Sequence, residues 1–478
     1  SFTTEPLYYA VENIVATASV PTAAGSGGPE VLVNGFGLTD GLHGTADGTM
    51  WSGEAAEGDP CWLQFDFGRV YKLYGLHVWN YNGQFEFILG FGPKDVTVEY
   101  ATEPNEWMTL GDYELAKGTN LPTYAGQRID LDGLVARAIR INVNSTYAGR
   151  AQVGLSEVQF LYKPVTAREP QPTDGATEVG IETTLSWRAG REAASHQVHF
   201  STDSDVVAEG TALLGTVTAN AYDPPTLNLA TTYYWQVVEV NEAETPSAWA
   251  SDVWDFNTPD FIVVDDFESY DDEDNLIYEA WADGFDVAGN GSQVGHNDPP
   301  YAEVNNNRPG DGEQGMPFTY GLEGATTSEA TLTLAGPQDW TRAGASTLVV
   351  WFRGALGNSA AQLYLKVNGV TVNYDGSATS LAAPVWKQWN VDVASLGAAA
   401  SNVRTVTLGV SGSGSGTFYV DDIRLYRDAP PATGAASDPG TANLVAYYPM
   451  SDNANDASGN NRNGTAETGS TFGAGPQG

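Results

Sequence analysis

Five carboxylates bracket one stretch of this chain. Asp265, Asp266 and Glu268 stand at its start, in Val-Val-Asp-Asp-Phe-Glu-Ser-Tyr, and Asp421 and Asp422 stand near its end, in Tyr-Val-Asp-Asp-Ile. If the first and last strands of that stretch lie side by side, these groups crowd and repel unless a cation sits between them. Hard divalent ions take oxygen ligands, so the ion expected is calcium. Alternation along a strand separates Asp265 from Asp266, which leaves about half the group for one site. The expected ligands are Asp265, Glu268 and Asp422. The plainer reading leaves the same side chains solvated on the strand surface.

A second constellation suits a sugar. A sugar's apolar face wants an aromatic plane, and its hydroxyls want a few well-placed polar groups. Trp79-Asn80-Tyr81-Asn82 supplies both types, and His43, Tyr147 and Arg150 lie in other loops that a sandwich fold brings to the same end. Against this, the preceding Leu-His-Val is strand-like, and a strand would take Trp79 into the core. Trp51 and Trp62 are read as core residues. Trp281, Tyr301, Asn305, Asn306 and Asn307 form a similar set further along.

Catalysis finds little support. A glycosidase needs two carboxyl groups at a fixed separation in a cleft, and nothing here resembles a catalytic domain. The 5 histidines lack zinc spacing, and no G-x-S-x-G or phosphate-binding loop occurs. His196 and His199 alternate along a strand pattern and read as surface residues. Cys61, the single cysteine, reads as a small buried residue, and no intrachain disulfide can form.

The elements that must hold these groups are strands. The 478 residues include 54 Gly, 13 Trp and 23 Tyr. Short runs alternate apolar and polar positions: 61–67, 73–79, 95–100, 138–143 and 156–162. The chain is long enough for several cores. Its net charge of −39 repels phosphate backbones, so nucleic acid is not an expected partner. The acidity serves solubility in a salty exterior, cation binding, or both. No apolar run approaches the roughly 20 residues that span a bilayer. No signal peptide is visible, and the abrupt Ser-Phe-Thr-Thr start suits a processed or trimmed protein. Asn144, Asn290 and Asn463 begin N-x-S/T triplets, which chance also produces and which mark glycosylation only in an exported chain.

Four segments follow one another. In residues 1–164, "MWSGEAAEGDPCWLQFDFGRVYKLYGLHVWNYN", "GPKDVTVEYA" and "GLSEVQFLY" resemble the discoidin, or factor 5/8 type C, family, which includes bacterial carbohydrate-binding modules. The resemblance implies a jelly roll with binding loops at one end. It also implies one calcium ion, held by an early loop and a late glutamate. Here these are 34–45 and Glu157, with Asp40 and Thr45 as further ligands. The alternative is a polar turn in which Asp40 caps backbone groups. Residues 166–258 resemble a fibronectin type III domain through "TTLSWRAG", "HQVHFST" and "LATTYYWQVVEVNEA". Trp187 looks like its first core tryptophan, and Tyr234 lies in the strand that carries the family's core tyrosine. Residues 260–428 resemble calcium-supported jelly rolls among carbohydrate-binding modules. After a linker at 429–441, "NLVAYYPMSDNANDASGNNRNGT" in 442–478 resembles the opening of a laminin-G-like, concanavalin-type sandwich and then stops.

The expectation is therefore an all-β string of tandem sandwiches and jelly rolls. It is calcium-supported, extracellular or cell-surface, and binds carbohydrate or matrix without a catalytic centre of its own. Two alternatives stand beside it. One is a fibre, surface-layer or adhesin subunit of bacterial type, self-assembling through the lone strand "NLVAYYPM". The other is an accessory part of a larger polysaccharide-degrading enzyme.

Overall fold

The computed structural model describes residues 5–56, 59–149, 152–308, 312–431 and 462–464. Its sheets fall in three stretches of chain. The first, between Tyr9 and Tyr162, is an eight-stranded antiparallel sheet with a separate two-stranded pair, Leu38–Thr39 with Leu42–His43. Its backbone is the 19-residue strand Trp62–Asn80, paired along its length with Gln127–Val143. Leu63, Phe65 and Phe67 are buried in alternation, while Trp62, Gln64 and Asp66 face outward. Burying such a side chain stabilises by about 1.5–3 kcal/mol, which fixes the register. The register then shifts between Asp66 and Tyr71, where Asp66 Oδ1 accepts the amide of Gly68. Before the shift the strand pairs with Val15–Ala18, and beyond it with Gln152–Tyr162. One sheet so encloses one core.

The second stretch pairs Arg168–Gln171, Leu185–Arg188 and Ala221–Tyr222 in one sheet, and builds another around Ser195–Ser201 and Thr232–Val240. Trp187 and Trp235 meet edge to face inside, at 6.3 Å. Tyr233 points inward with Trp235, and Tyr234 points the other way. His196 and His199, expected at the surface, are both 4 % exposed. His196 Nδ1 is bonded to the buried Glu239, whose other oxygen accepts the Gly190 amide. Both faces of this strand are covered, so His196 and His199, on opposite faces, are both enclosed.

The third stretch holds a six-stranded and a five-stranded sheet between Phe261 and Tyr426. The first and last strands do lie side by side: Phe261 opposes Tyr426, and Asp265 opposes Ile423. The cores of the second and third stretches join, with the Leu229 amide donating to the Ala343 carbonyl at 2.9 Å. The laminin-G-like opening and the strand expected at 443–450 lie outside the described residues, apart from 462–464. No helix among the described residues is long and apolar enough to cross a membrane.

The first and second stretches are tied by a buried ion network. Lys72 Nζ donates to Glu192 at 2.6 Å and to Glu244 at 2.9 Å, and Lys163 Nζ donates to Glu192 at 2.7 Å. Tyr74 adds a hydroxyl at 2.8 Å. Burial alone would raise the Glu192 carboxyl, but the Lys163 and Lys72 hydrogen bonds outweigh it and hold it at about 2. Glu192→Ala takes the shared counter-charge from two lysines and leaves Lys72, only 5 % exposed, with Glu244 alone. The expected cost is about 2–4 kcal/mol in urea unfolding, with a broadened small-angle scattering profile as the junction loosens. An unchanged midpoint and profile would show that the network does not hold the junction.

Candidate functional site

Asn82 organises the loop end of the first unit. It follows Trp62–Asn80 and is wholly buried. Its Nδ2 donates to three carbonyls, those of Leu121 at 2.9 Å, Gly44 at 3.0 Å and His43 at 3.2 Å. Its Oδ1 accepts the Asn120 amide at 2.8 Å, and Asn120 Nδ2 reaches back to the Gly83 carbonyl at 2.7 Å. One side chain thus fastens the loops at 35–45, 81–92 and 116–124 together. Asn80 does similar work at 1 % exposure, donating to Pro93 and Ala116 carbonyls at 2.8 and 2.9 Å. Both amides are spent on backbone, because an irregular loop must satisfy its carbonyls internally.

The neighbouring aromatics also turn inward. Trp79 is buried, stacks on His77 at 3.9 Å and donates Nε1–H to the Gly41 carbonyl at 3.2 Å. Tyr81 is half-buried against Phe91 and covers Gly154, where an added Cβ would come within 2.5 Å of the ring. Of the residues expected to meet a sugar, Trp79, Asn80 and Asn82 therefore shape the loops from beneath. Tyr147 does likewise, donating its hydroxyl to the Leu115 carbonyl. Arg150 lies outside the described residues. The side chains that do project are Phe36, 78 % exposed, and Phe85 and Phe87 at 61 % and 62 %, with Ile88 and Leu121 beside them in sequence or across the Asn82 clasp. Sequence reasoning missed these rings. The signal was available in Gly-Gln-Phe-Glu-Phe-Ile-Leu-Gly, an apolar run bounded by glycines directly after the asparagines.

The early loop and the late glutamate meet. Glu157, 1 % exposed, accepts the Gly35 amide at 3.1 Å through Oε1. Its Oε2 is buried without a partner. Burial pushes its carboxyl up to about 7, against the lowering by the Gly35 amide. A buried carboxylate oxygen with nothing to bond is a position a cation satisfies. Thr45 is half-buried in the same loop, and Asp40 sits exposed on its tip at a left-handed φ of 50°. His43 is buried and packed against Gly37, its Nδ1 on the Gly44 carbonyl and its Nε2 without a partner. Burial lowers its pKa, against the raising by the Gly44 and Thr49 backbone.

The bracketing acids of the third unit are arranged differently. Asp265 accepts from the Tyr270 hydroxyl at 2.7 Å, Trp281 Nε1 at 2.8 Å and the Phe267 amide at 2.9 Å. Glu268 caps the amides of Glu313 and Gln314, each at 2.9 Å. Asp422 lies between the Arg308 and Arg424 guanidiniums. The charge relief expected from calcium comes here from arginine, and Asp265, Glu268 and Asp422 do not converge as one ligand set. Among the described residues no three His, Cys, Asp or Glu group that way anywhere. Trp281 is buried core, Tyr301 is half-buried, and the Asn305 and Asn306 amides both cap Glu303.

Remaining expectations sort by environment. Trp51 is core, but Trp62 is not: it lies half-buried on the outer face, with Arg140 layered between it and Trp107 at 4.7 and 3.9 Å. Cys61 is buried, and burial pushes its thiol to about 11. The Asn144 amide reaches Thr97 Oγ1 at an exposed site. The Asn290 amide is engaged with the Glu329 backbone through both ends, which disfavours glycosylation there. Asn463 is exposed, within the short described run 462–464.

Comparison with known sequences bears on the first unit. Residues 16–158 match the F5/8 type C domain. The matched stretch spans the Asn82 loops and reaches Glu157. No curated protein matches the chain. Among solved structures, the chain is similar to a family 32 CBM from C. perfringens NanJ in complex with galactose. The identity is 13 %, over 32 % of this chain and 98 % of that one, with a TM-score of 0.24. It is similar to the lectin domain of lectinolysin complexed with Lewis B antigen, at 15 % identity over 31 % and 93 %, TM-score 0.24. It also resembles a family 89 glycoside hydrolase from Clostridium perfringens, at 15 % identity and TM-score 0.23. There the match covers 32 % of this chain and only 14 % of the enzyme.

Proposed function

We propose that this chain is an extracellular carbohydrate-binding protein, in which the F5/8 type C module meets its sugar at the Asn82 loop end. The observation that carries the reading is the pair Phe85 and Phe87. Two phenyl rings stand more than half exposed on a loop that Asn82 fastens to two neighbouring loops. Exposed aromatics cost solubility unless they have a partner, and a pre-ordered ring loses little entropy on stacking. Calcium belongs to the same reading. Glu157, with Thr45 and backbone carbonyls of the 34–45 loop, is the ligand set, and the ion's role is to stiffen that loop.

The second unit is read as a fibronectin type III-like spacer, supported by its two-sheet build around Trp187 and Trp235. The whole suits a module array, alone or attached to a polysaccharide-acting partner. Affinity electrophoresis of the intact chain through gels carrying plant, algal and host glycans tests this. Retardation by at least one glycan, weakened by a chelator, is expected. Free migration through every gel contradicts it.

A further inference from the structure

Arg353 stands out in a chain with 60 acidic and 21 basic residues. It ends the strand Thr347–Arg353 on the six-stranded sheet of the third unit, half-buried, with no carboxylate partner among the described residues. Its neighbours on both sides are aromatic. Register places it opposite Trp386 on one adjacent strand and Tyr419 on the other, and opposed residues share a face. The guanidinium lies 5.7 Å from the Tyr419 ring centroid. Trp386 is half-buried and anchored by Nε1–H on the Asn307 carbonyl at 3.2 Å, so its ring is held. Two residues back on the same face, Trp351 carries Arg308 at 4.7 Å. Two acids lie near this part of the face. Asp421, opposite Trp351, is 1 % exposed and accepts the Arg308 amide. Glu303, whose charge adds to burial in raising the Tyr419 hydroxyl, is 3 % exposed and accepts the Asn305 and Asn306 amides, so both charges lie beneath the surface.

From this placement we infer that the outer face of the third unit binds a uronate-type sugar. Arg353 takes the carboxylate, and Trp386 and Tyr419 take the apolar face of the ring. A lone guanidinium between two aromatic residues matches a ligand carrying a planar anion on an apolar ring. It does not match a neutral sugar, which would leave the cation unpaired on desolvation. Nor does it match phosphate chains, which the net charge of −39 opposes over many contacts while a single uronate makes one. At 0.15 M salt the long-range repulsion fades within about 8 Å, and contact chemistry decides. This site is separate from the Phe85 loop end and does not depend on it.

Calorimetric titration of the intact chain at 0.15 M salt tests the inference. The ligands are oligogalacturonate, oligomannuronate and oligoglucuronate, each beside its methyl ester. At least one uronate binds and its ester does not. Arg353→Gln weakens that binding by about tenfold or more, the loss of one charge-assisted pair, whereas Arg353→Lys keeps part of it. Trp386→Ala weakens it too, and Phe85→Ser/Phe87→Ser leaves it unchanged. An unchanged melting temperature in Arg353→Gln shows that the fold is intact. Equal binding of ester and acid, an Arg353→Gln variant that binds as wild type, or no binding of any uronate overturns it. Loss in the Phe85→Ser/Phe87→Ser variant instead moves the contact to the loop end.

Discussion

Replacing Asp422 with alanine is expected to cost the third unit about 3–5 kcal/mol, the largest single effect on stability. Asp422 is 2 % exposed, and its carboxylate takes Arg308 on one oxygen and Arg424 on the other. Arg308 and Arg424 are themselves 14 % and 9 % exposed, so the alanine variant leaves two nearly buried guanidiniums short of their main counter-charge. Asp422 also holds a left-handed φ of 47°, which a β-branched residue would resist and asparagine accepts. Asp422→Asn therefore keeps the backbone and loses the charge. Urea unfolding followed by tryptophan fluorescence separates the two costs. A loss under about 1 kcal/mol for Asp422→Ala would show that the arginines are satisfied elsewhere. The neighbouring Asp421 reports independently. Its carboxyl is pushed to about 7 by burial first and by the Asp422 charge second, so it should fall in either variant.

The second large effect is a pH slope that calcium removes. The Glu157 carboxyl rises from 4.5 to about 7 on folding, driven by burial. Between those values the folded chain holds a proton that the unfolded chain has released. Stability is therefore full below about 4.5 and falls as pH rises towards 7, by about 3 kcal/mol for this group. Asp421 adds a slope of the same sign in the third unit. The informative quantity is therefore the difference between wild type and Glu157→Gln, read from unfolding midpoints at pH 5 and pH 7.5. Without calcium, wild type loses more than the variant between these pH values. With millimolar calcium the ion favours the charged carboxylate, and wild type at pH 7.5 gains stability that Glu157→Gln does not. A calcium response equal in both proteins would remove Glu157 from the ligand set.

Some of this was legible in the sequence, and the reasons differ by residue. The strand runs at 61–67 and 73–79 were visible through alternation, but not that they are one strand. A register shift near Gly68 carries the chain across, and a glycine turn signal reads the same whether pairing stops or bends. The adjacency of the first and last strands of the third unit was anticipated, although the acids they carry do not gather at one site. What neutralises them was not, because Arg308 comes from a loop more than 100 residues before Asp422. At the loop end, residue type misled. Asparagine and tryptophan look like sugar contacts, yet Asn80, Asn82 and Trp79 are consumed by carbonyls that irregular loops leave open. Phenylalanine looks like core, yet Phe85 and Phe87 project because the short turn Glu86–Leu89 aims them away from the sheet, while Glu86 alone turns in to cap Phe91 and Gly92.

The central claim is that those two phenyl rings are where sugar is met. A glycan array read with the intact chain, wild type beside Phe85→Ser/Phe87→Ser, at pH 7.5 with calcium, tests it most directly. Serine at both exposed positions should leave the melting temperature unchanged. The account predicts that wild type binds a defined set of neutral glycans and that the variant loses them by about tenfold or more, as stacking of two rings is removed. A variant that keeps the same glycans at the same strength would contradict it.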